Sequence, residues 1–176
     1  MTVESNSGYR KKNFMDSRVL KRRVGYILGF FIFALVISGL TAIPIRWEID
    51  VLQRFIGEGT FMEKVYPPMA HWISFVHRGL ADIPEDSSFI YYGMDWLAFG
   101  HIVIAIAFLG ALRDPVKNVW VIEFGMIACV LVIPVALIFG QIRGIPVFWR
   151  LIDCSFGIVG IIPLWLCRRY IKQMAK

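Results

Sequence analysis

The chain has 176 residues, of which 57% are hydrophobic and only 18% charged, and its formal net charge is +6. That composition leaves too few polar groups to solvate a soluble domain of this size. The positive excess flanks apolar runs instead of marking a basic and aromatic module, which excludes a reader of nucleic acid and points to anionic lipid headgroups. Cys129, Cys154 and Cys167 all fall within apolar runs with no CxxC spacing, so neither a disulfide framework nor a thiolate metal site is expected.

Residues 1–24 form a basic segment carrying Arg10, Lys11, Lys12, Arg18, Lys21, Arg22 and Arg23. The run that follows, 25–45, holds no charge in 21 positions. About 20 apolar residues are what a helix needs to cross a bilayer, and this run is too long for the core of a secretory signal and lacks a small-residue cleavage site after it, so it reads as a retained first span.

Residues 46–94 form a more polar segment with two stretches of helical spacing, Trp47 to Ile56 and Phe61 to Leu80. On the first, Ile49, Leu52, Phe55 and Ile56 share a side; on the second, Met69, Trp72, Ile73 and Val76 do. Gly57 and Gly59 separate the two, Pro67 and Pro68 should break or restart the second, and Ala81 to Ser88 reads as a loop. The spacing predicts amphipathic helices lying on the membrane or lidding a bundle.

Three more spans follow at 95–112, 119–141 and 149–167, and a basic tail closes the chain at 168–176. The expected fold is therefore an all-α integral membrane protein: four transmembrane helices in an antiparallel bundle, with one or two extracytoplasmic helices between the first and second spans. Orientation follows from Lys and Arg: seven in the first segment, two in the turn at 113–118 and four in the tail, against four with eight acids in 46–95. Both termini are thus expected to be cytoplasmic and the protein multi-pass. Trp47, Trp72, Trp96 and Trp149 near one boundary, with Trp120 and Trp165 near the other, fit an aromatic belt.

Ionisable residues inside spans are costly in lipid and therefore mark function or interhelical contact. His101 lies on a small-residue face with Ala98 and Ala105, and Arg150, Asp153, Gly157 and Gly160 form one stripe of the fourth span. One reading builds a polar site in the outer half of the bundle from His101, Asp153 and Arg150, with Gln141 and Arg143 above it. Arg150, Arg143 and Gln141 would hold a ligand, His101 would be a general base and Asp153 its orienting carboxylate. The other reading pairs Arg150 with Asp153 at headgroup level and gives His101 a single interhelical hydrogen bond.

Glu123 is expected to pair with Arg113, Lys117, Arg168 or Arg169. His71 and His77 are six apart and do not share a helix face, so they are expected to be solvated or in headgroup contact, with no metal and no cofactor implied. No Walker loop, GxSxG elbow, HExxH or dinucleotide fingerprint occurs. The favoured function is a non-enzymatic accessory or lipid- or ligand-binding membrane protein. One alternative is a small enzyme acting on a lipid or headgroup at the outer leaflet, and another an oligomeric transporter or channel subunit. Expected partners are membrane lipids, anionic headgroups at the basic termini, and a homo-oligomer or larger membrane complex, without nucleic acid.

Overall fold

The structure, a computed structural model, describes the backbone of residues 3–175 and the side chains of residues 17–175. The side chains of Arg10, Lys11 and Lys12 in the basic first segment lie outside the described residues. The chain is 87% helix, and no strand occurs among the described residues. Helix α1 spans Val3–Ala42, α2 Ile45–Ile56, α3 Phe61–Val65, α4 Pro67–Ala81, α5 Tyr92–Arg113, α6 Val119–Ile142 and α7 Val147–Met174, with a short 3₁₀ helix at Glu85–Tyr91 before α5. Among the described residues four helical segments are long and apolar enough to cross a membrane: Ser17–Ala42, Glu85–Arg113, Val119–Ile142 and Val147–Met174.

Local chemistry sets the breaks. The first apolar run continues to Ile45, but α1 stops at Ala42 because Pro44 has no N–H to donate and disfavours helical geometry in the residue before it. Proline at N1 restarts the chain at α4, where Pro67 is the first residue. In α3 the Thr60 hydroxyl accepts from the Met62 N–H at 3.3 Å, while Glu63 Oε2 accepts from the Gly59 N–H at 2.7 Å. This is a variant of the capping box, entered through Gly59 at φ +87°. The second half of the expected loop at Ala81 to Ser88 opens the 3₁₀ helix, where Pro84 precedes Glu85 and Asp86, whose charges suit a helix N-terminus.

The chain divides into two compact units, one of residues 1–34 and 105–176, the other of 35–104. In the first unit α6 and α7 form a hairpin closed by a Schellman motif. The Ile145 N–H reaches Gly140 O at 2.8 Å, the Gly144 N–H reaches Gln141 O at 3.2 Å, and Gly144 adopts φ +70°. Pro146 then prevents α6 from continuing. The two helices approach closely at Gly157, where an added Cβ would collide with the Cys129 carbonyl. One turn on, a Cβ at Gly160 would stand 3.1 Å from Cys129 Sγ. The GxxG spacing thus marks real interhelical contact. Gly125 of α6 likewise lies beneath Phe108 and Leu164, and Phe31 meets Phe108 with ring centroids 5.0 Å apart. α7 runs past Cys167 into the basic tail because no Gly or Pro follows Pro163 and Ile171 is still buried.

In the second unit α2 and α4 pack as a hairpin joined through the 57–66 turn and α3. The buried set is Ile49, Ala70, Ile73 and Ser74. Phe55 of α2 is 74% exposed, and on α4 the buried Ser74 lies on the packed face beside Ala70 and Ile73. Also in this unit, Gly39 of α1 abuts α5: a Cβ there would lie 2.9 Å from His101 Cβ and 3.1 Å from Ala98 O. The small-residue face around His101 is therefore a helix-packing face.

Gly157→Ala should destabilise the protein by about 1–3 kcal/mol, because the obstructing atom is backbone and cannot rotate away. Gly25→Ala, whose Cβ meets nothing within 4 Å, should be neutral or slightly stabilising. Thermal unfolding in detergent checks both, and equal stability of the two variants would show that α6 and α7 do not approach at Gly157.

Candidate functional site

Polar groups within the spans are arranged mainly to join helices. Arg150, in the first turn of α7, lays its stem over Gly140, where an added Cβ would be 2.6 Å from Arg150 Cγ. Its Nη1 donates to Gln141 Oε1 at 2.7 Å and to the Leu137 carbonyl at 3.4 Å. A cation at the carbonyl end of α6 is favoured by the helix dipole, so Arg150 clasps the hairpin where the chain reverses. Arg150 Nε is buried with no hydrogen-bond partner among the described residues. At the other end of the hairpin, Arg168 Nε donates to Glu123 Oε1 at 2.7 Å. The pairing expected for Glu123 is therefore made, and Arg168 is the partner. Between these ends Cys154 Sγ approaches the Ile133 carbonyl at 3.9 Å.

Of the residues expected to form a ligand site, Arg150 and Gln141 meet directly. Arg143 is exposed at the C-cap of α6, its backbone N–H bonded to Phe139 O at 2.9 Å. Asp153 is half-buried on α7 and makes no hydrogen bond or ion pair among the described residues, the Arg150 guanidinium having turned to α6 instead. The intrahelical Arg150–Asp153 pair is thus replaced by an interhelical bond that also satisfies the end of α6. His101, in the other unit, has Nδ1 2.8 Å from the Leu97 carbonyl one turn earlier in its own helix. That bond makes Nδ1 the donor and leaves Nε2 as the acceptor, with no partner among the described residues.

The densest polar network lies where the sequence offered little. Between the first two spans, α2 and α4 are joined by three tiers that step toward the turn. His77 Nε2 lies 2.9 Å from Asp50 Oδ1. Next, the buried Ser74 hydroxyl donates to Gln53 Oε1 at 2.8 Å and accepts from the Glu58 N–H at 2.9 Å. At the turn, Glu58 takes His71 Nδ1 on one oxygen at 2.6 Å and Arg78 Nη1 on the other at 2.9 Å. A clamp on the opposite side completes the segment: Arg46 donates to Leu80 O at 3.3 Å and Ile83 O at 2.9 Å, and stacks on Tyr91. The Tyr91 hydroxyl also donates to Leu80 O at 3.0 Å.

His71 and His77 are accordingly carboxylate-paired, not merely solvated. Six residues apart on α4 they do not share a helix face, and their partners stand instead on α2 and in the turn. The available signal was reciprocal order: Asp50, Gln53 and Glu58 ascend the chain as His77, Ser74 and His71 descend it. Among the described residues no three His, Cys, Asp or Glu side chains converge as a metal site. Comparison with family models, with curated proteins and with solved structures finds no match.

The His71 hydrogen bond first, and the Arg78 bond second, hold the Glu58 carboxyl below its ordinary value of 4.5. A depressed carboxyl contributes stability that is present above pH 4.5 and is lost as the pH falls through its lower folded-state value. The α2–α4 hairpin should therefore loosen on acidification below that point. Hydrogen exchange of 50–81 as a function of pH checks this, with Glu58→Gln expected to show a flatter acid limb, and unchanged limbs in parent and variant contradicting it.

Proposed function

We propose that the chain is a four-span membrane protein, its helices antiparallel and both termini cytoplasmic, that acts as an accessory or lipid- or ligand-binding subunit without chemistry of its own. The observation that carries this reading is the commitment of the intramembrane charges. Arg150 binds Gln141 and a helix carbonyl, and Glu123 binds Arg168, so each joins α6 to α7. Residues of this kind are interhelical glue. The spans meanwhile bury only 17–22% of their most apolar windows, which leaves long faces for lipid, a second copy or a larger assembly.

The distribution of Lys and Arg supports the orientation, with the α2–α4 hairpin on the extracytoplasmic side. Exposed Trp47, Trp96, Trp120 and Trp165 near the span ends support membrane residence. In this reading the polar groups left for a ligand in the first unit are Asp153 and Arg143, and the basic termini contact anionic headgroups.

A second reading, a small enzyme acting on a lipid headgroup with His101 as general base, is favoured by one observation. The Leu97 carbonyl holds the His101 ring in one tautomer and leaves Nε2 as the basic atom.

Native mass spectrometry of the purified chain tests the proposal, with a retained lipid, small molecule or subunit as the expected result. A ligand at one hundred times its Kd should stabilise the parent by about 2.7 kcal/mol, and Asp153→Asn should abolish that protection while leaving unliganded stability nearly unchanged. Turnover of a lipid by the parent that is lost in His101→Ala would replace the binding reading with the enzymatic one. A bare monomer that no lipid or ligand protects would overturn both.

A further inference from the structure

A shallow groove of about 310 Å³, open to the surroundings, lies along the last turns of α7, lined by Trp165, Arg168, Arg169, Lys172 and Gln173. All five belong to α7, and their spacing puts them on adjacent turns of one side of that helix. Three of the five are cations, and their charges are not equally available. Arg168 is held by Glu123 at 2.7 Å, which fixes its position and neutralises it. The Arg169 guanidinium lies over the Trp165 ring at 5.8 Å, an arrangement that orients its donors. Arg169 and Lys172 are exposed and make no ion pair with a carboxylate among the described residues. The negative end of the helix dipole accounts for one cation in the last turn. It does not account for a second cation stacked on tryptophan one turn earlier, nor for the concavity that both border.

We infer that this groove binds the phosphate of an anionic lipid headgroup, with Arg169 and Lys172 supplying the charge, Arg168 a pre-positioned donor and Trp165 the apolar floor at the level of the glycerol backbone. The inference rests on the proposed membrane-spanning reading, under which the end of α7 emerges at the cytoplasmic headgroup layer. Each ingredient has a separate role. A phosphodiester carries one negative charge and several acceptor oxygens, which a guanidinium meets with directed donors and an ammonium with a point charge. Tryptophan favours the interface, where its ring is apolar and its N–H stays wet. Gln173 adds a carboxamide that can donate to a headgroup hydroxyl.

The test uses the full chain in nanodiscs of mixed phosphatidylcholine and phosphatidylglycerol, released gently so that native mass spectrometry counts the lipids retained. The parent should retain phosphatidylglycerol preferentially. Arg169→Gln with Lys172→Gln should reduce that preference by roughly five-fold for each cation removed. Arg113→Gln with Lys117→Gln removes the same charge from the exposed turn between α5 and α6, which belongs to neither basic terminus, and should leave most of the preference intact. An equal fall in both double variants would mean diffuse attraction and would overturn the site, as would no fall in either. Displacement of the retained lipid by inorganic phosphate at constant ionic strength would assign the groove to a free anion and overturn the lipid. A chain that never enters the nanodisc overturns the membrane-spanning reading and the site with it, whereas one that enters and shows no preference overturns the site alone.

Discussion

Where Gly157 lets the α7 backbone lie against the Cys129 carbonyl, two spans come closer than any side chain would allow. Under the proposed membrane-spanning reading apolar burial cannot hold these helices together as it does in water, because lipid tails are as apolar as leucine, so close backbone approach and interhelical polar contacts must do so. The α6–α7 hairpin has both, with Arg150 on Gln141 near the turn and Arg168 on Glu123 at the far end. The Schellman turn at Gly140 to Ile145 aligns the two helices so that these contacts coincide.

The segment between the first two spans solves a different problem. A hairpin of α2 and α4 buries few apolar side chains, and a small core supplies little stability by itself. Its cohesion comes from paired polar groups: two histidine–carboxylate contacts on either side of a buried serine. A Cβ at Gly57 would displace the Gln53 carboxamide, whose flexible end could move only by giving up the bond it receives from Ser74. Removing one partner of such a network strands the others, which makes the hairpin sensitive to single changes in a way an apolar interface is not.

The all-helical class, the four long apolar helices and the positions of most breaks were legible in the sequence, because they follow from local properties. Twenty apolar residues, a Pro44, a Pro67 or a Gly144 act through a few neighbouring atoms. Glu123 was legible as well, since a carboxylate near a span end must find a cation, although which cation was open among four. The candidate site was less legible. Arg150 stands three residues from Asp153, and sequence distance favoured that pair, yet the packing brings the Gln141 carboxamide and the Leu137 carbonyl of α6 to the guanidinium instead. His71 and His77 showed no partner in their own helix, and their acids lie in a segment whose register against α4 no periodicity specifies.

The sequence by itself therefore determined what hydrophobicity and charge determine without a fold: four long apolar helices, basic flanks, and the proline and glycine positions that interrupt them. Only the tertiary structure decided partners. It sent Arg150 across to Gln141, drew His71 and His77 onto Glu58 and Asp50, and gave Gly157 its contact with Cys129. The reason is that backbone conformation depends on neighbours along the chain, whereas a polar side chain spans several ångströms and takes whichever acceptor the packing brings within reach.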